Sequence, residues 1–348
     1  MSAPLRTALL GCGRIAGYFH LPILLGLEGV ALAALAEPDE RLRARASARA
    51  PGADAHADYR RVLADERIDA VVICLPSGLH AGAAEAAFAA GKHVFVEKPL
   101  AIDLAGADRV RQAWRASGTV GMVGFNQRFD PVVRGLRDAV RDGRLGEIVG
   151  ARIVLGAAAR STPDWKRRRA SGGGVLLDLG SHAADLARFL MAQEIRAVSA
   201  TVMSARDEDD TAALVLILDD GRLIHVHLTS TAAQESRCEL LGARGRLVAD
   251  RYAGTLDLHP PLPPYGVRAR ARRALAGARR LPARSAALVR PPWDGRSHRA
   301  LLAAFVAAAR AGGDARPDLD DGHRSLATVL AAEESARTGR LVELGQDR

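Results

Sequence analysis

Apolar and polar positions alternate in blocks along the first 125 residues of the chain. The run Ala70–Leu75 is apolar without interruption, which is typical of a strand buried on both faces of a sheet. Helical stretches separate such runs, and strands that alternate with helices predict right-handed βαβ units around a parallel sheet. We predict strands at 5–10, 30–36, 70–75 and 93–96, and helices that begin at Arg14 and span 39–50 and 81–90.

The pattern of apolar positions changes after about residue 125. Strand-like runs now follow one another with short polar connections, such as Asp219-Asp220-Gly221, which favours an antiparallel meander. We predict helices at 131–141, 176–191, 298–311 and 322–337, and strands at 148–155, 195–203, 211–218, 222–229, 236–241 and 244–250.

The length of 348 residues favours two domains, since one domain typically takes roughly 100–200 residues. We predict an α/β protein in which residues 1–123 form an N-terminal Rossmann domain with a doubly wound parallel sheet. Residues 124–348 are predicted to form a C-terminal α+β domain with an open, mostly antiparallel sheet. An Arg- and Pro-rich insertion at about 260–295 interrupts this second domain.

The net charge of +9 is confined to one segment of the chain. Residues 261–300 contain ten arginines and one acidic residue, so the remainder of the chain is neutral overall. The segment lacks interleaved aromatic residues, which argues against nucleic-acid binding by base stacking. A surface loop is the simplest interpretation, with an anionic partner or a subunit edge as alternatives.

The cysteines and the apolar runs indicate in which cellular compartment the protein is expected. Three cysteines, at positions 12, 74 and 238, form no pairable framework, which favours a reducing environment. Met1 leads directly into a strand without a signal-peptide pattern, and no apolar run approaches the ~20 residues of a membrane span. We therefore expect a cytoplasmic protein without membrane contact. No zinc-ligand spacing occurs, so no metal is expected.

A glycine-rich turn, Gly11-x-Gly13-x-x-Ala16, follows the first strand and opens a helix. The first glycine permits a tight turn, and the second removes a side chain where a pyrophosphate must approach the backbone. The helix N-terminus, with Arg14 and Ile15, supplies amide donors and a favourable dipole for the phosphates. This fingerprint predicts a dinucleotide site.

The cofactor expected at this turn is NAD. Glu37 follows the second strand, 24 residues after Gly13, where an acid accepts hydrogen bonds from a ribose diol and repels a 2′-phosphate. Arg41 and Arg43 lie nearby and would suit a 2′-phosphate, so NADP is not excluded. The alternative interpretation is a structural glycine turn with a solvated Glu37.

The tripeptide Glu97-Lys98-Pro99 stands at the carboxyl end of a predicted strand. Ligands of open parallel sheets bind outside these ends, and a lysine there can stabilise developing alkoxide character on a substrate oxygen. Pro99 also permits a cis Lys98–Pro99 bond. Taken alone, the tripeptide favours an ordinary surface lysine in a strand-end turn.

Three polar residues are spaced to share one face of a predicted helix. Asp178 and His182 are four positions apart, and Asp185 follows three positions later. Histidine titrates near neutrality and can take a hydroxyl proton as hydride leaves carbon, while a neighbouring carboxylate orients the ring. The alternative is a helix-capping Asp178 and a structural His182.

A cationic run, Lys166–Arg169, follows Trp165 in the loop before three glycines. An anionic substrate, such as a sugar acid or a sugar that bears a phosphate, would suit these charges. A solvated loop is the favoured interpretation, because charge runs usually face water. The acidic run Asp207–Asp210 is most simply a solvated turn as well.

Five segments resemble the glucose-fructose oxidoreductase / inositol dehydrogenase / MocA family, in the order in which that family carries them. They are VVICLPSGLH at 71–80, GKHVFVEKPL at 91–100, GFNQRFDP at 124–131, GGGxxxDxGxHxxD at 172–185 and ESARTGR at 334–340. The chain departs from the family over the arginine-rich stretch 268–290. The resemblance implies an oxidoreductase that uses a nicotinamide cofactor.

The resemblance also implies roles for individual residues. It assigns catalysis to Lys98, Asp178 and His182, and it makes Asp185 a polyol-binding carboxylate. Further residues expected at the cofactor are Pro76, Ser77, His80, Glu97 and Lys98, and those expected at the substrate are Asn126, Gln127 and Trp165. Arg128 is expected either near the substrate or paired with Asp130.

The reaction implied is reversible oxidation of a secondary alcohol of a sugar, cyclitol or related polyol. An NAD-dependent glycosidase that oxidises its substrate transiently is the alternative enzyme on this scaffold, and a non-catalytic dinucleotide sensor is a third hypothesis. The family forms dimers and tetramers through the open face of the second sheet. We therefore expect a homodimer or a homotetramer.

Overall fold

The structure, a computed structural model, describes residues 3–158, 163–261 and 295–345. The first sheet contains β1 (Leu5–Leu10), β2 (Val30–Ala36), β3 (Asp54–His56), β4 (Ala70–Ile73), β5 (His93–Val96) and β6 (Gly121–Val123). These strands are parallel and lie in the order β3-β2-β1-β4-β5-β6. The predicted Rossmann sheet is confirmed. The strand order reverses between β1 and β4, where such sheets open a crevice for a ligand.

Strand β4 shows why its sequence does not alternate. Val71 and Ile73 belong to one hydrophobic cluster, whereas Ala70 and Val72 belong to another, and all four side chains are fully buried. Because successive residues of a strand point to opposite faces, both faces of the sheet are covered at this position. Strand β4 is therefore buried on both faces of the sheet, as its uninterrupted apolar run predicts.

Helices connect the strands of the first sheet. A π-helical turn, Ala16–His20, leads into α1 (Leu21–Leu25), and the later helices are α2 (Glu40–Arg49), α3 (Tyr59–Leu63), α4 (His80–Ala89) and α5 (Leu104–Ser117). Asp39, Asp58 and Asp103 precede α2, α3 and α5, and each accepts a backbone N–H of the first turn. The elements β3, α3, α5 and β6 were not predicted.

The second sheet has eight strands among the described residues. They are β7 (Ile148–Gly156), β8 (Ile195–Met203), β9 (Thr211–Leu218), β10 (Leu223–Thr229), β11 (Glu235–Gly242), β12 (Gly245–Asp250), β13 (Thr255–His259) and β14 (Val342–Glu343). Their order is β13-β12-β11-β7-β10-β9-β8-β14. Only the pairing of β7 with β10 is parallel within this part of the chain, so the mostly antiparallel sheet is confirmed.

Four further helices complete the described fold. They are α6 (Pro131–Arg141), α7 (Ser181–Met191), which continues a π-helical turn Leu176–Gly180, α8 (Arg296–Ala311) and α9 (Leu319–Thr338). Helix α9 packs against β8 and α7. Helix α8 joins the core of the first sheet, where the rings of Phe305 and Phe95 lie 5.9 Å apart. The domain boundary between residues 123 and 124 stays a prediction. Helix α8 falls within the predicted second domain but packs against the first sheet.

The Arg- and Pro-rich insertion predicted at about 260–295 lies almost entirely outside the described residues. Within the described ranges, no helix combines the length and the apolar character needed to cross a bilayer.

Candidate functional site

The glycine turn between β1 and the first helix has the geometry of a phosphate-binding loop. Gly11 has φ +90°, and a Cβ atom there would lie 2.6 Å from the carbonyl oxygen of Cys74. A Cβ atom on Gly13 would meet nothing within 4 Å, so the space beyond this glycine is open. Only glycine suits the first position, and the second leaves room for a ligand to reach the backbone. The turn therefore fits the pyrophosphate of a dinucleotide.

Glu37 is fixed beside this turn and is only 8% exposed. Its Oε2 accepts the backbone N–H of Cys12 at 2.7 Å, and its Oε1 accepts that of Asp39 at 3.1 Å. The solvated side chain of the alternative interpretation is therefore wrong. Each carboxylate oxygen has a second lone pair, which leaves acceptors for a ribose diol. Arg43 donates instead to the backbone carbonyls of Glu37 and Pro38.

His80 connects the ends of two neighbouring strands. Its Nδ1 lies 2.7 Å from the carbonyl oxygen of Pro99, and its Nε2 lies 2.8 Å from that of Leu75. Burial lowers the pKa of His80 below its ordinary value. The neutral ring has one N–H, so it donates to one of these two carbonyl oxygens and holds the backbone at the end of β4 or of β5. The direct contact of Pro76, Ser77 and His80 with a cofactor stays a prediction.

Lys98 and Asp178 meet although they are 80 residues apart in the sequence. The Lys98 Nζ lies 2.5 Å from Asp178 Oδ1 and donates to the Asp178 carbonyl oxygen at 2.8 Å. Lys166 approaches the other carboxylate oxygen, with its Nζ 3.1 Å from Oδ2. Burial alone would raise the pKa of Asp178, but Lys166 and Lys98 hold it well below its ordinary value. The Lys98–Pro99 peptide bond is cis.

His182 lies one helical turn beyond Asp178 and is 9% exposed. Its ring packs against Phe125 at an angle of 69°, with the centroids 6.1 Å apart. Its buried Nδ1 has no hydrogen-bond partner in the described structure, so Asp178 does not orient the ring through a hydrogen bond. Burial, reinforced by the charge of Lys98, lowers the pKa of His182 well below its ordinary value. The imidazole is therefore neutral at pH 7 and able to accept a proton.

Asp185 does not join this group. It is 1% exposed and lies in an ion network, where Arg128 donates to Oδ2 through Nε at 2.9 Å and to Oδ1 through Nη2 at 2.6 Å. The Nη1 of Arg128 lies 3.2 Å from Asp321 Oδ2. Arg128 thus binds Asp185 and Asp321 rather than Asp130, which instead pairs with Arg251 at 3.1 Å. The polyol-binding role of Asp185 stays a prediction, and its carboxylate is committed to Arg128.

The loop before the glycine run pairs with the acidic turn at the surface of the protein. Arg167 pairs with Asp207 at 2.7 Å, and the backbone N–H of Arg169 donates to Glu208 Oε2 at 2.9 Å. The side chain of Arg169 pairs with Glu333. Arg167, Arg168 and Glu208 are exposed, as the solvated interpretations expect, whereas Lys166 and Arg169 are half-buried. The loop carries the half-buried Trp165 beside Lys166, whose Nζ lies 5.6 Å from the centre of the indole ring.

Glu97 is paired with a histidine that no sequence motif indicated. His20, which is fully buried, places its Nε2 2.7 Å from Glu97 Oε1. Burial would raise the pKa of Glu97, but the hydrogen bond and the charge of His20 lower it to about 2. The Oε2 of Glu97 accepts the backbone N–H of Lys98 at 3.2 Å. A buried carboxylate therefore lies directly beside the Lys98 group.

Two further residues that no sequence motif indicated, Ser297 and His298, lie at the start of α8. Asn126 donates through Nδ2 to Ser297 Oγ at 3.1 Å, and the same nitrogen lies 3.5 Å from His298 Nδ1. His298 stacks on Phe19, with the ring centroids 4.3 Å apart. The sequence carries no signal for these contacts, because 171 residues separate Asn126 from Ser297. The neighbouring Gln127 is buried, and its Oε1 has no partner among the described residues.

Two cavities lie away from the Lys98 group. One, of about 280 Å³, is lined by Gly13, Arg14 and Tyr18 beside the phosphate turn. The other, of about 410 Å³, is lined by Arg128, Arg137 and other residues of the ion network. Among the described residues, no cluster of three or more His, Cys, Asp or Glu side chains could hold a metal ion.

Two family models match separate parts of the chain. The family model described as "Oxidoreductase family, NAD-binding Rossmann fold" matches residues 5–125, and the "GFO/IDH/MocA C-terminal domain" matches residues 133–248. An inositol 2-dehydrogenase of Rhizobium meliloti is 34% identical over 70% of this chain and 75% of its own length. A myo-inositol 2-dehydrogenase of Thermotoga maritima is 30% identical over 72% of this chain and 77% of its own. The crystal structure of a probable dehydrogenase from Thermotoga maritima superposes with a TM-score of 0.80 at 27% identity, over 97% of this chain and 98% of that one.

Proposed function

This chain belongs to the Gfo/Idh/MocA oxidoreductases, which have an NAD-binding Rossmann fold, and on that premise we propose that it oxidises a secondary alcohol of a sugar, cyclitol or related polyol. The observation that carries the proposal is the contact of Lys98 with Asp178, one helical turn from a neutral His182. A protein that only binds a dinucleotide has no need of all three groups. Two relatives named as inositol 2-dehydrogenases support a polyol as the substrate class.

The chemistry divides between Lys98 and His182. The ammonium group of Lys98, held by Asp178, donates a hydrogen bond to the alcohol oxygen and stabilises its developing negative charge. His182 takes the hydroxyl proton at Nε2, because its pKa is low enough to keep the ring neutral. The bound NAD⁺ supplies the hydride acceptor, so the alcohol carbon loses a hydride and becomes a carbonyl. Each turnover would therefore move one hydride to the cofactor and one proton to His182, which then releases the proton to solvent.

Glu37 sets the preference for NAD in this proposal. Its carboxylate is anchored by two backbone N–H groups, and it accepts the two hydroxyls of the adenosine ribose. A 2′-phosphate would meet this buried negative charge at close range. Of the two nearby arginines, Arg43 is committed to backbone carbonyls, whereas Arg41 is exposed.

The assembly and the compartment are proposals as well. The open face of the second sheet exposes large apolar side chains, among them Met203 and Leu223. We propose that a second copy of the chain covers this face, which sedimentation at several protein concentrations would test. Three buried, unpaired cysteines are the basis for proposing a cytoplasmic location.

The test of the reaction is a panel of polyols, neutral sugars and sugar acids, each assayed with NAD⁺ and NADP⁺ by nicotinamide absorbance. We expect reduced cofactor with at least one polyol or sugar, and a loss of roughly 100- to 1,000-fold in kcat on replacing Lys98 by methionine. Cleavage of a chromogenic glycoside without net NADH would establish the glycosidase instead. Cofactor binding without turnover of any compound would support a sensor.

A further inference from the structure

The amide of Asn126 is oriented by helix α8. Its Nδ2 donates to Ser297 Oγ and faces His298 Nδ1, so both protons of the amide nitrogen point toward the start of this helix. Asn126, Ser297 and His298 are each 8% exposed. The carbonyl oxygen of Asn126 must then point the other way, since an amide carries its oxygen opposite its nitrogen. That oxygen is not among the buried, unpartnered side-chain atoms of the described residues.

His298 is suited to the accepting role. Burial, reinforced by the neighbouring His20, lowers the pKa of His298 to about 3, so the ring is neutral and one nitrogen is a lone-pair acceptor. The ring is held by stacking on Phe19 and meets His20 edge-on, with the centroids 6.0 Å apart. The histidine therefore has little freedom to turn away from Asn126.

Asn126 lies at the nicotinamide end of the crevice. It follows β6, and its backbone N–H donates to the carbonyl oxygen of Gly124 at 2.9 Å. Gly124 in turn packs so closely on Glu97 that a Cβ atom would lie 2.9 Å from Glu97 Oε2. Glu97 and Lys98 stand at the carboxyl end of β5, where the proposed hydride transfer takes place. Asn126 therefore lies beside the strand end at which we propose hydride transfer, and its carbonyl oxygen is the polar atom of its amide that α8 does not engage.

We propose that Ser297 and His298 are positioning residues that hold the Asn126 amide so that its carbonyl oxygen accepts a hydrogen bond from the carboxamide N–H₂ of the nicotinamide. The segment that begins α8 is then part of the cofactor site, although 171 residues separate Ser297 from Asn126. The inference depends on NAD binding by the fold and not on which alcohol is oxidised.

The test is calorimetric binding of NAD⁺ and of 3-acetylpyridine adenine dinucleotide, in which a methyl group replaces the carboxamide nitrogen. The wild-type protein should bind NAD⁺ about tenfold more tightly than the analogue, the value of one hydrogen bond. Asn126→Ala and His298→Ala should bring the two dissociation constants to within about twofold of each other, by weakening NAD⁺ alone. His298→Asn, which keeps an acceptor, should restore part of the difference.

A matched control is His323→Ala on α9, a buried histidine paired with Asp108 away from the crevice. It should leave the ratio of the two dissociation constants unchanged. Should His298→Ala fail to fold, Ser297→Ala removes only a hydroxyl group and tests the same hydrogen bond. Equal weakening of both dinucleotides in Asn126→Ala would overturn the inference, as would a wild-type protein that binds them equally. Lack of turnover would refute the proposed reaction and leave these ratios untouched.

Discussion

Replacing Arg128 by methionine removes the guanidinium that pairs with the buried Asp185 and Asp321, of which only Asp321 keeps other cationic partners, such as Arg188, among the described residues. The side chains of Asp185 and Asp321 are 1% and 4% exposed, and both accept hydrogen bonds from Arg128. Burial would raise the pKa of Asp321, but Arg128 and Arg188 lower it to about 2, so this carboxylate is ionised at neutral pH. Asp185 would be left without its guanidinium partner.

The expected loss of folding stability follows from the burial of the ion network around Arg128. Removal of one partner from a buried ion pair leaves an uncompensated charge and typically costs about 3–5 kcal/mol. The methionine keeps part of the apolar stem of the arginine but loses the guanidinium, which lies over the ring of Phe189 at 5.4 Å. The cost is therefore mainly electrostatic. A second substitution, Asp185→Leu, should restore a large part of it, because burying neither charge avoids desolvation.

Urea denaturation followed by circular dichroism measures the effect as a shift of the midpoint at constant slope. Arg141→Met is the matched control, because Arg141 is 69% exposed and pairs only with other surface residues, so little change is expected. A cost below about 1 kcal/mol for Arg128→Met would refute the reasoning. A double variant no more stable than the single one would refute it as well.

Three further predictions concern the site itself. Glu37→Ala should relax the preference for NAD⁺ over NADP⁺, and an unchanged ratio of the two kcat/KM values would contradict the role of Glu37 at the ribose. Because the pKa of His182 is held well below its ordinary value, the proton-accepting form persists as pH falls. The acid limb of the pH profile of kcat/KM should therefore have its midpoint below pH 6.5. A midpoint above that value would count against His182 as the base. Gly11→Ala should destabilise the fold, whereas Gly13→Ala should leave the thermal midpoint unchanged and weaken NAD⁺ binding. Equal thermal midpoints for the two glycine variants would show that the turn geometry is not as described.

The fold could be predicted wherever one local pattern decided the element. The strands β1, β2 and β5 begin and end where the apolar runs do. The short elements β3 and α3, with three and five residues, carry too few apolar positions for a period to show. Helix α5 was missed although it is 14 residues long and amphipathic. The place of α8 in the first core depends on contacts between distant segments, which no local period reports.

The residues of the candidate site also fall into those that a local pattern reveals and those that only distant contacts reveal. Lys98, Asp178 and His182 could be found because each stands at a strand end or on one helical face within a recognisable motif. His20, Ser297 and His298 could not, because their importance comes from partners far along the chain, such as Glu97 for His20. Spacing placed Asp185 on the face of His182, but spacing cannot show that a guanidinium from another segment occupies that carboxylate.

The central claim is hydride transfer at the Lys98 and His182 centre. The most direct measurement uses the best substrate of the alcohol panel, deuterated at the carbon that is oxidised, and follows where the deuterium goes. The account predicts that the reduced nicotinamide carries the deuterium, and that Lys98→Met slows this transfer roughly 100- to 1,000-fold while NAD⁺ still binds. Deuterium that never reaches the nicotinamide, or transfer at an unchanged rate in Lys98→Met, would contradict it.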